Sequence, residues 1–358
     1  MSQRSQVTIT LTFPHSDVSE PPLDRLRLGP EEASVTDPAR PLGSRRLVII
    51  TGKGGTGKTT VAAALALGAA ARGQRVLVAA VDPDARLAAL LGPRPAPLTY
   101  QPALARENVW VCHIEPFEAL GEYLGLQVGT RRLVDPVLRQ RGFRQLLLAS
   151  PGWRELITLG KVWHLEQSME GRRPRFDLIV VDAPATGHSL TFLDVPRVVV
   201  SAVRAGPLRH HTERVEALIE DRERTLLLPV ALAEELPARE TVELVARARD
   251  KLGVCIERVV VNAVHEPPYP EDLADLDRRI AALPGDTALG ALPPPRALAA
   301  CGAALRARAE LNRQHIAEIA RDTGLPTVSL PYLRDGLRGP DDAAQLAEPL
   351  FAGLGAGA

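Results

Sequence analysis

The stretch Leu47-Val48-Ile49-Ile50-Thr51-Gly52-Lys53-Gly54-Gly55-Thr56-Gly57-Lys58-Thr59-Thr60 decides the fold. It opens on a short apolar run rich in β-branched residues, which reads as a strand. The run feeds straight into Gly52 to Thr59, a complete match to G-x-x-x-x-G-K-[ST]. An alanine-rich segment, residues 60 to 72, then reads as a helix stopped by Gly73. Strand, glycine loop and helix in that order make an anion nest. Successive backbone N–H groups point inward and the helix N-terminus adds positive potential. On this reading Gly52, Gly54, Gly55, Thr56, Gly57, Lys58, Thr59 and Thr60 cradle a phosphate chain. Lys58 contacts its β- and γ-phosphates, and Thr59 offers a hydroxyl to Mg2+.

The use of lysine singles out the same loop. Among 43 Lys+Arg the chain has four lysines, Lys53, Lys58, Lys161 and Lys251. Two of them sit in this loop, while arginine supplies the positive charge elsewhere. A compact ammonium fits among glycines and phosphates where a planar guanidinium needs more room. A phosphate loop of this type does not require Lys53. It is either a solvated loop charge or an additional cation for the triphosphate, supplied within the subunit or across a dimer.

Working outward, further apolar runs read as strands: Arg75 to Val81, Val109 to Ile114, Leu178 to Val181, Leu226 to Ala233, Val259 to Val261 and Thr327 to Leu330. Continuous apolar strands separated by helical stretches predict an α/β fold, with a mostly parallel sheet covered by helices on both faces. Such sheets bind ligands beyond the carboxyl ends of their strands. The loop, Asp82, Asp182 and Asn262 each follow a candidate strand, so one nucleotide site can collect them. Asp182 closes Phe176-Asp177-Leu178-Ile179-Val180-Val181-Asp182 and faces Mg2+ or its waters on this reading. Asp82 orients an attacking water, or simply shapes a turn before Pro83.

The expected organisation is a disordered arm over residues 1–44, a nucleotide-binding domain over 45–345 and a flexible tail over 346–358. Within the arm, Val7, Ile9, Leu11 and Phe13 alternate with threonines in a strand period. Segments at about 116–175 and 191–221 are long inserts that predict a helical subdomain. Val198 to Val200 looks β-like in isolation, but its long and later charged surroundings favour helix. Leu156, Ile157, Leu159, Val162, Trp163 and Leu165 are more apolar residues than one core stripe uses. They pack the subdomain, or line a groove for an apolar helix.

Acidic and basic residues balance at 43 each, which gives no electrostatic pull toward nucleic acid. Three cysteines, Cys112, Cys255 and Cys301, form no zinc spacing or disulfide framework. No apolar run reaches the ~20 residues of a membrane span. A cytoplasmic setting is expected.

Together these motifs resemble the deviant-Walker-A ATPases. More narrowly they resemble the family of the arsenical-pump (ArsA) and tail-anchored-protein-targeting ATPases. The resemblance runs from about 45 to 345 and rests on Gly52 to Thr60, Asp82-Pro83, Asp182 to His188, Ser150-Pro151-Gly152, Glu240-Thr241, Val261-Asn262 and Leu330 to Leu333. It implies a P-loop fold, ATP and Mg2+ as cofactors, and a homodimer that closes around nucleotide. By the same resemblance Lys53 reaches the phosphates of the opposite subunit and acts catalytically with Lys58 and Asp82. Gly187 lies in a switch segment, and Asn262, Pro331 and Leu333 lie on the adenine side. Two departures stand out. Asp84-Ala85-Arg86 replaces the usual residues after Asp82-Pro83, and Asp182-Ala183-Pro184-Ala185-Thr186 is a rearranged form of the family segment.

The expected function is an ATP-hydrolysing dimeric switch that binds and releases a protein client or membrane partner through the helical subdomain. The alternatives are a targeting factor with slow ATPase activity, a ParA/MinD-type positioning ATPase and a metalloid-pump ATPase. A phosphoryl transferase is a further class, which Lys53 disfavours.

Overall fold

The computed structural model describes residues 45–83, 85–92, 98–184, 189–270, 273, 275–285, 287 and 290–355. The expected arm over 1–44 with its strand period, and Gly187, lie outside these residues. Strand β1 (Leu47–Thr51) is buried along its whole length, as a run with no polar alternation requires. Its side chains divide between two faces. Val48 and Ile50 join one apolar cluster, Leu47 and Ile49 another.

The other strands are β2 (Val76–Ala80), β3 (Ala103–Arg106), β4 (Val109–His113), β5 (Met169–Glu170), β6 (Arg173–Pro174), β7 (Leu178–Asp182), β8 (Thr225–Leu232), β9 (Val259–Val264) and β10 (Thr327–Pro331). Eight of them form one sheet in the order β10-β9-β8-β1-β7-β2-β4-β3. Every pairing is parallel except that of β3 with β4. The fold is therefore the expected α/β arrangement around a mostly parallel sheet. Strand β1 lies between β7 and β8, so the chain leaves it toward β2 on one side and later returns to β8 on the other. That reversal opens a crevice at the carboxyl end of β1.

Helices α1 (Lys58–Ala71), α2 (Ala85–Leu91), α12 (Pro340–Gln345) and α13 (Ala347–Gly353) cover the Val48 face. On the Leu47 face lie α3 (Pro116–Val128), α6 (Trp153–Glu166), α7 (Ser189–Ala202), α8 (Pro207–Glu220) and α9 (Glu235–Leu252). Helices α4 (Arg131–Leu138) and α5 (Arg141–Ala149) extend that layer around a small cluster of Leu120, Val134 and Leu138. Helix α10 (Leu276–Ala281) precedes α11 (Pro295–Thr323), a 29-residue helix packed beside α9. Residues Val198 to Val200 fall within α7, the helical alternative.

The structure corrects two readings. Residues 346–355 are not a loose tail. Leu350 and Phe351 of α13 are 0% and 2% exposed, and the Phe351 ring fills the space left by Gly68 of α1. A Cβ on Gly68 would lie 2.5 Å from that ring, so small residues in α1 admit the terminal helix. The segment 116–175 is not helical throughout: after α6 it turns back as the two-stranded β5–β6 hairpin.

One backbone irregularity bears on the site. Ala263 takes φ +55° in β9, where β9 carries one more residue than β10 between the pairs Val261–Ser329 and Val264–Pro331. This is a bulge, which bends a strand and re-aims its side chains.

Candidate nucleotide site

The loop between β1 and α1 owes its path to two glycines. Gly52 has φ +143°, and a Cβ there would meet the Val230 carbonyl oxygen at 2.3 Å. Gly57, the N-cap of α1, has φ +89°, and its Cβ would meet Asn262 Nδ2 at 2.1 Å. A side chain at either position carries both steric conflict and left-handed backbone strain. Two side-chain donors close the loop on the Lys53 carbonyl, Thr56 Oγ1 at 2.9 Å and Lys58 Nζ at 3.1 Å, beside the Thr56 backbone N–H at 3.4 Å. Asn262 Nδ2 donates to the Thr56 carbonyl at 3.0 Å and so buttresses the loop from β9.

A cavity of about 330 Å3 opens over the loop and is bounded by Lys58, Thr59, Asp82 and Asp182. Thr59 Oγ1 donates to Asp182 Oδ2 at 2.7 Å, joining the first turn of α1 to the end of β7. Lys58 is 6% exposed. Burial pushes its ammonium below the ordinary lysine range, against the opposing pull of the Asp182 and Asp82 carboxylates. The two faces of the loop thus differ in chemistry. Lys58 points a desolvated cation inward, while Lys53 turns outward with its side chain 48% exposed. Lys53 Nζ pairs with Glu240 Oε1 of α9 at 2.5 Å.

Thr59 and Asp182 suit a hard divalent cation. Both offer oxygen, they are adjacent, and they leave most of an octahedron to water and phosphate oxygens, as Mg2+ prefers. Among the described residues no cluster of three or more His, Cys, Asp or Glu could hold a metal by itself. The three cysteines sit on separate elements: Cys112 is buried in β4, Cys255 is half-buried before β9, and Cys301 is exposed on α11. Burial pushes the Cys112 thiol up to about 12, which makes it a core group rather than a ready ligand.

The loop residues, Asp82 and Asp182 converge at one crevice, with Asn262 directly behind the loop. Pro331 lies elsewhere, at the end of β10 on a cavity of about 210 Å3 beside the stacked rings of His265 and Tyr332, 4.4 Å apart. Leu333 packs against the core. Sequence reasoning missed Leu337 and Arg338, which border the nucleotide cavity from beyond β10. It also missed the tie between Lys53 and Glu240.

A parallel sheet with a phosphate-type glycine loop at its topological switch, and an aspartate at the neighbouring strand end, defines a P-loop nucleoside triphosphatase. Residues 45–205 match the family described as anion-transporting ATPase. The chain is 34% identical to the ATPase BagA of Mycobacterium tuberculosis over 249 residues, 68% of this chain and 72% of that one. It is 28% identical to the arsenical pump-driving ATPase of Acidiphilium multivorum over 263 residues, 66% of this chain and 42% of the relative. The Escherichia coli arsenical pump-driving ATPase is 27% identical over 240 residues, 61% of this chain and 39% of the relative. The chain belongs to the ArsA-type, anion-transporting ATPase family, and is an ATP-hydrolysing enzyme.

Proposed function

We propose that the protein works as a homodimeric, Mg-ATP-dependent switch whose hydrolysis cycle controls the binding of a protein partner. The opposed placement of the two loop lysines carries this reading. Lys58 is turned into its own phosphate cradle, while Lys53 is turned out to the surface. Lys58 and the loop N–H groups hold the β- and γ-phosphates. Thr59 and Asp182 hold Mg2+, which neutralises charge on the phosphate oxygens. Asp82 sits at the rim of the same cavity and orients the attacking water. Lys53, once released from Glu240, adds a second cation to the triphosphate bound by the opposite subunit. Partner affinity then follows the open or closed state, which requires only that the partner bind one of them better.

The described helices include none long and apolar enough to cross a membrane. In this reading a partner, including a membrane protein, docks on the helical layer of α3 to α8, and the chain acts in the cytoplasm. The dispersed cysteines speak against a metalloid as the cargo.

The test is light scattering of the purified chain with and without Mg-ATP, using Asp82→Asn and Lys53→Ala. Asp82→Asn should bind ATP, hydrolyse it slowly and accumulate as a dimer. Lys53→Ala should bind ATP and stay monomeric. A Lys53→Ala protein that dimerises normally rejects the cross-subunit role. Unchanged turnover in Asp82→Asn rejects the water-positioning role.

A further inference from the structure

A second cavity, of about 180 Å3, opens between α3, α6 and α8 and shares no residue with the nucleotide cavity. Three rings form a wall. His211 packs on Tyr123 with centroids 4.9 Å apart, and on Trp163 at 5.2 Å. Its floor carries Lys161, one of the four lysines of the chain, with its side chain 5% exposed. Lys161 Nζ donates to Glu122 Oε2 at 2.6 Å, and the Tyr100 hydroxyl donates to the same oxygen. His164 Nε2 lies 3.4 Å from Glu122 Oε1.

The charges do not cancel. Glu122 and Lys161 neutralise each other. Arg214, at the rim with its guanidinium 6.0 Å from the Trp163 ring centre, makes no ion pair among the described residues. Burial first, and then neighbouring cations, hold His211 and His164 below the ordinary histidine range, so both are neutral at pH 7. The cavity therefore joins an aromatic wall to one uncompensated positive charge.

These features select the occupant. An aromatic cage alone would suit an ammonium ion, but the uncompensated Arg214 repels one. A phosphate dianion would carry more charge than the single excess cation balances, with the Glu122 carboxylate nearby. A peptide helix is too large. A volume of this order holds one benzene-sized ring, since an apolar cavity of about 150 Å3 takes up benzene.

We propose that the cavity between α3, α6 and α8 is a second ligand site that takes a single-ring aromatic carboxylate. The ring lies against Tyr123, His211 and Trp163, and its carboxylate meets Arg214. Gly160 keeps the wall in register. A Cβ there would lie 2.8 Å from His211 Nε2 and would force the imidazole to move.

The test uses the full chain with benzoate, and with benzyl alcohol as its neutral counterpart, by titration calorimetry and saturation-transfer NMR. Benzoate should bind with a Kd on the order of 0.1–1 mM, as its few heavy atoms allow. Benzyl alcohol should bind about fivefold more weakly, the scale of one partly exposed charge contact. Arg214→Gln should bring benzoate down to the level of benzyl alcohol and leave ATP binding unchanged. Gly160→Ala should weaken both probes, with ATP binding again reporting an intact fold. Absence of benzoate binding up to about 10 mM, some tenfold above the expected range, overturns the proposal. So does benzoate binding that neither substitution alters.

Discussion

Replacing Glu240 by Gln tests whether the Lys53–Glu240 bond restrains dimer closure. The bond is short, 2.5 Å, but Lys53 is 48% exposed and Glu240 27%, so solvent screens it. Exposed pairs of this kind contribute up to about 1 kcal/mol. If Lys53 must leave Glu240 to reach across an interface, each subunit gives up that amount on closing. A symmetric dimer gives it up twice, about 2 kcal/mol, or roughly thirtyfold in the dimerisation constant. Glu240→Gln should therefore tighten nucleotide-dependent dimerisation by up to about thirtyfold, while lowering monomer stability by no more than about 1 kcal/mol. The second Glu240 oxygen, Oε2, is buried with no hydrogen-bond donor among the described residues, so an amide there does not remove an existing bond. The assay is sedimentation equilibrium with Mg-ATP in an Asp82→Asn background, which keeps the nucleotide intact. If the variant binds ATP normally yet dimerises no better than its parent, the bond is no restraint and the reasoning fails.

Gly57→Ala should abolish ATP binding, because the new Cβ falls 2.1 Å from Asn262 Nδ2 at φ +89°; a fluorescent ATP analogue bound at parental affinity would contradict this. Phe351→Ala should cost about 3–5 kcal/mol, the usual range for a fully buried ring. Urea denaturation measures it, and a loss below about 1 kcal/mol would mean that α13 is dispensable to the core. The lowered Lys58 pKa gives two opposite pH trends. ATP affinity should begin to fall, as pH rises from neutral, earlier than the ordinary lysine value of 10.5 would allow. The nucleotide-free protein should gain stability over the same interval, since there the unfolded chain holds the Lys58 proton that the folded one has lost. Calorimetry in buffers of different ionisation enthalpy should show proton uptake on ATP binding in that interval; its absence would place Lys58 outside the phosphate contact.

The centre of the sheet was legible because its information is local. Leu47 to Ile50 has no polar alternation, and Gly57-Lys58-Thr59 follows at once, so strand, loop and helix are read from adjacent residues. Asp182 was legible for the same reason, at the end of an unbroken apolar run. What escaped depends on contacts between distant residues. Lys53 and Glu240 are 187 positions apart, and nothing around either one names the other. Asn262 donates to Thr56 across 206 positions, and the resemblance to relatives suggested only a contact with adenine. Phe351 sits among glycines and alanines that mimic a frayed end, and only the facing Gly68 gives that helix a seat. The four residues Ala103 to Arg106 were too short, and too poor in β-branched and aromatic residues, to stand out as an edge strand.

The bulge at Ala263 divides the labour of one strand between two chambers. Before it, the Asn262 amide reaches back to steady the loop of glycines. Beyond it, Val264 accepts from the Tyr332 backbone N–H at 2.9 Å, and His265 lies flat on the Tyr332 ring in the neighbouring hollow. A regular pleat would have kept alternate residues on a common side. One reversed backbone angle instead sets the residue that braces the glycine loop and the ring that faces the second hollow only three peptide units apart.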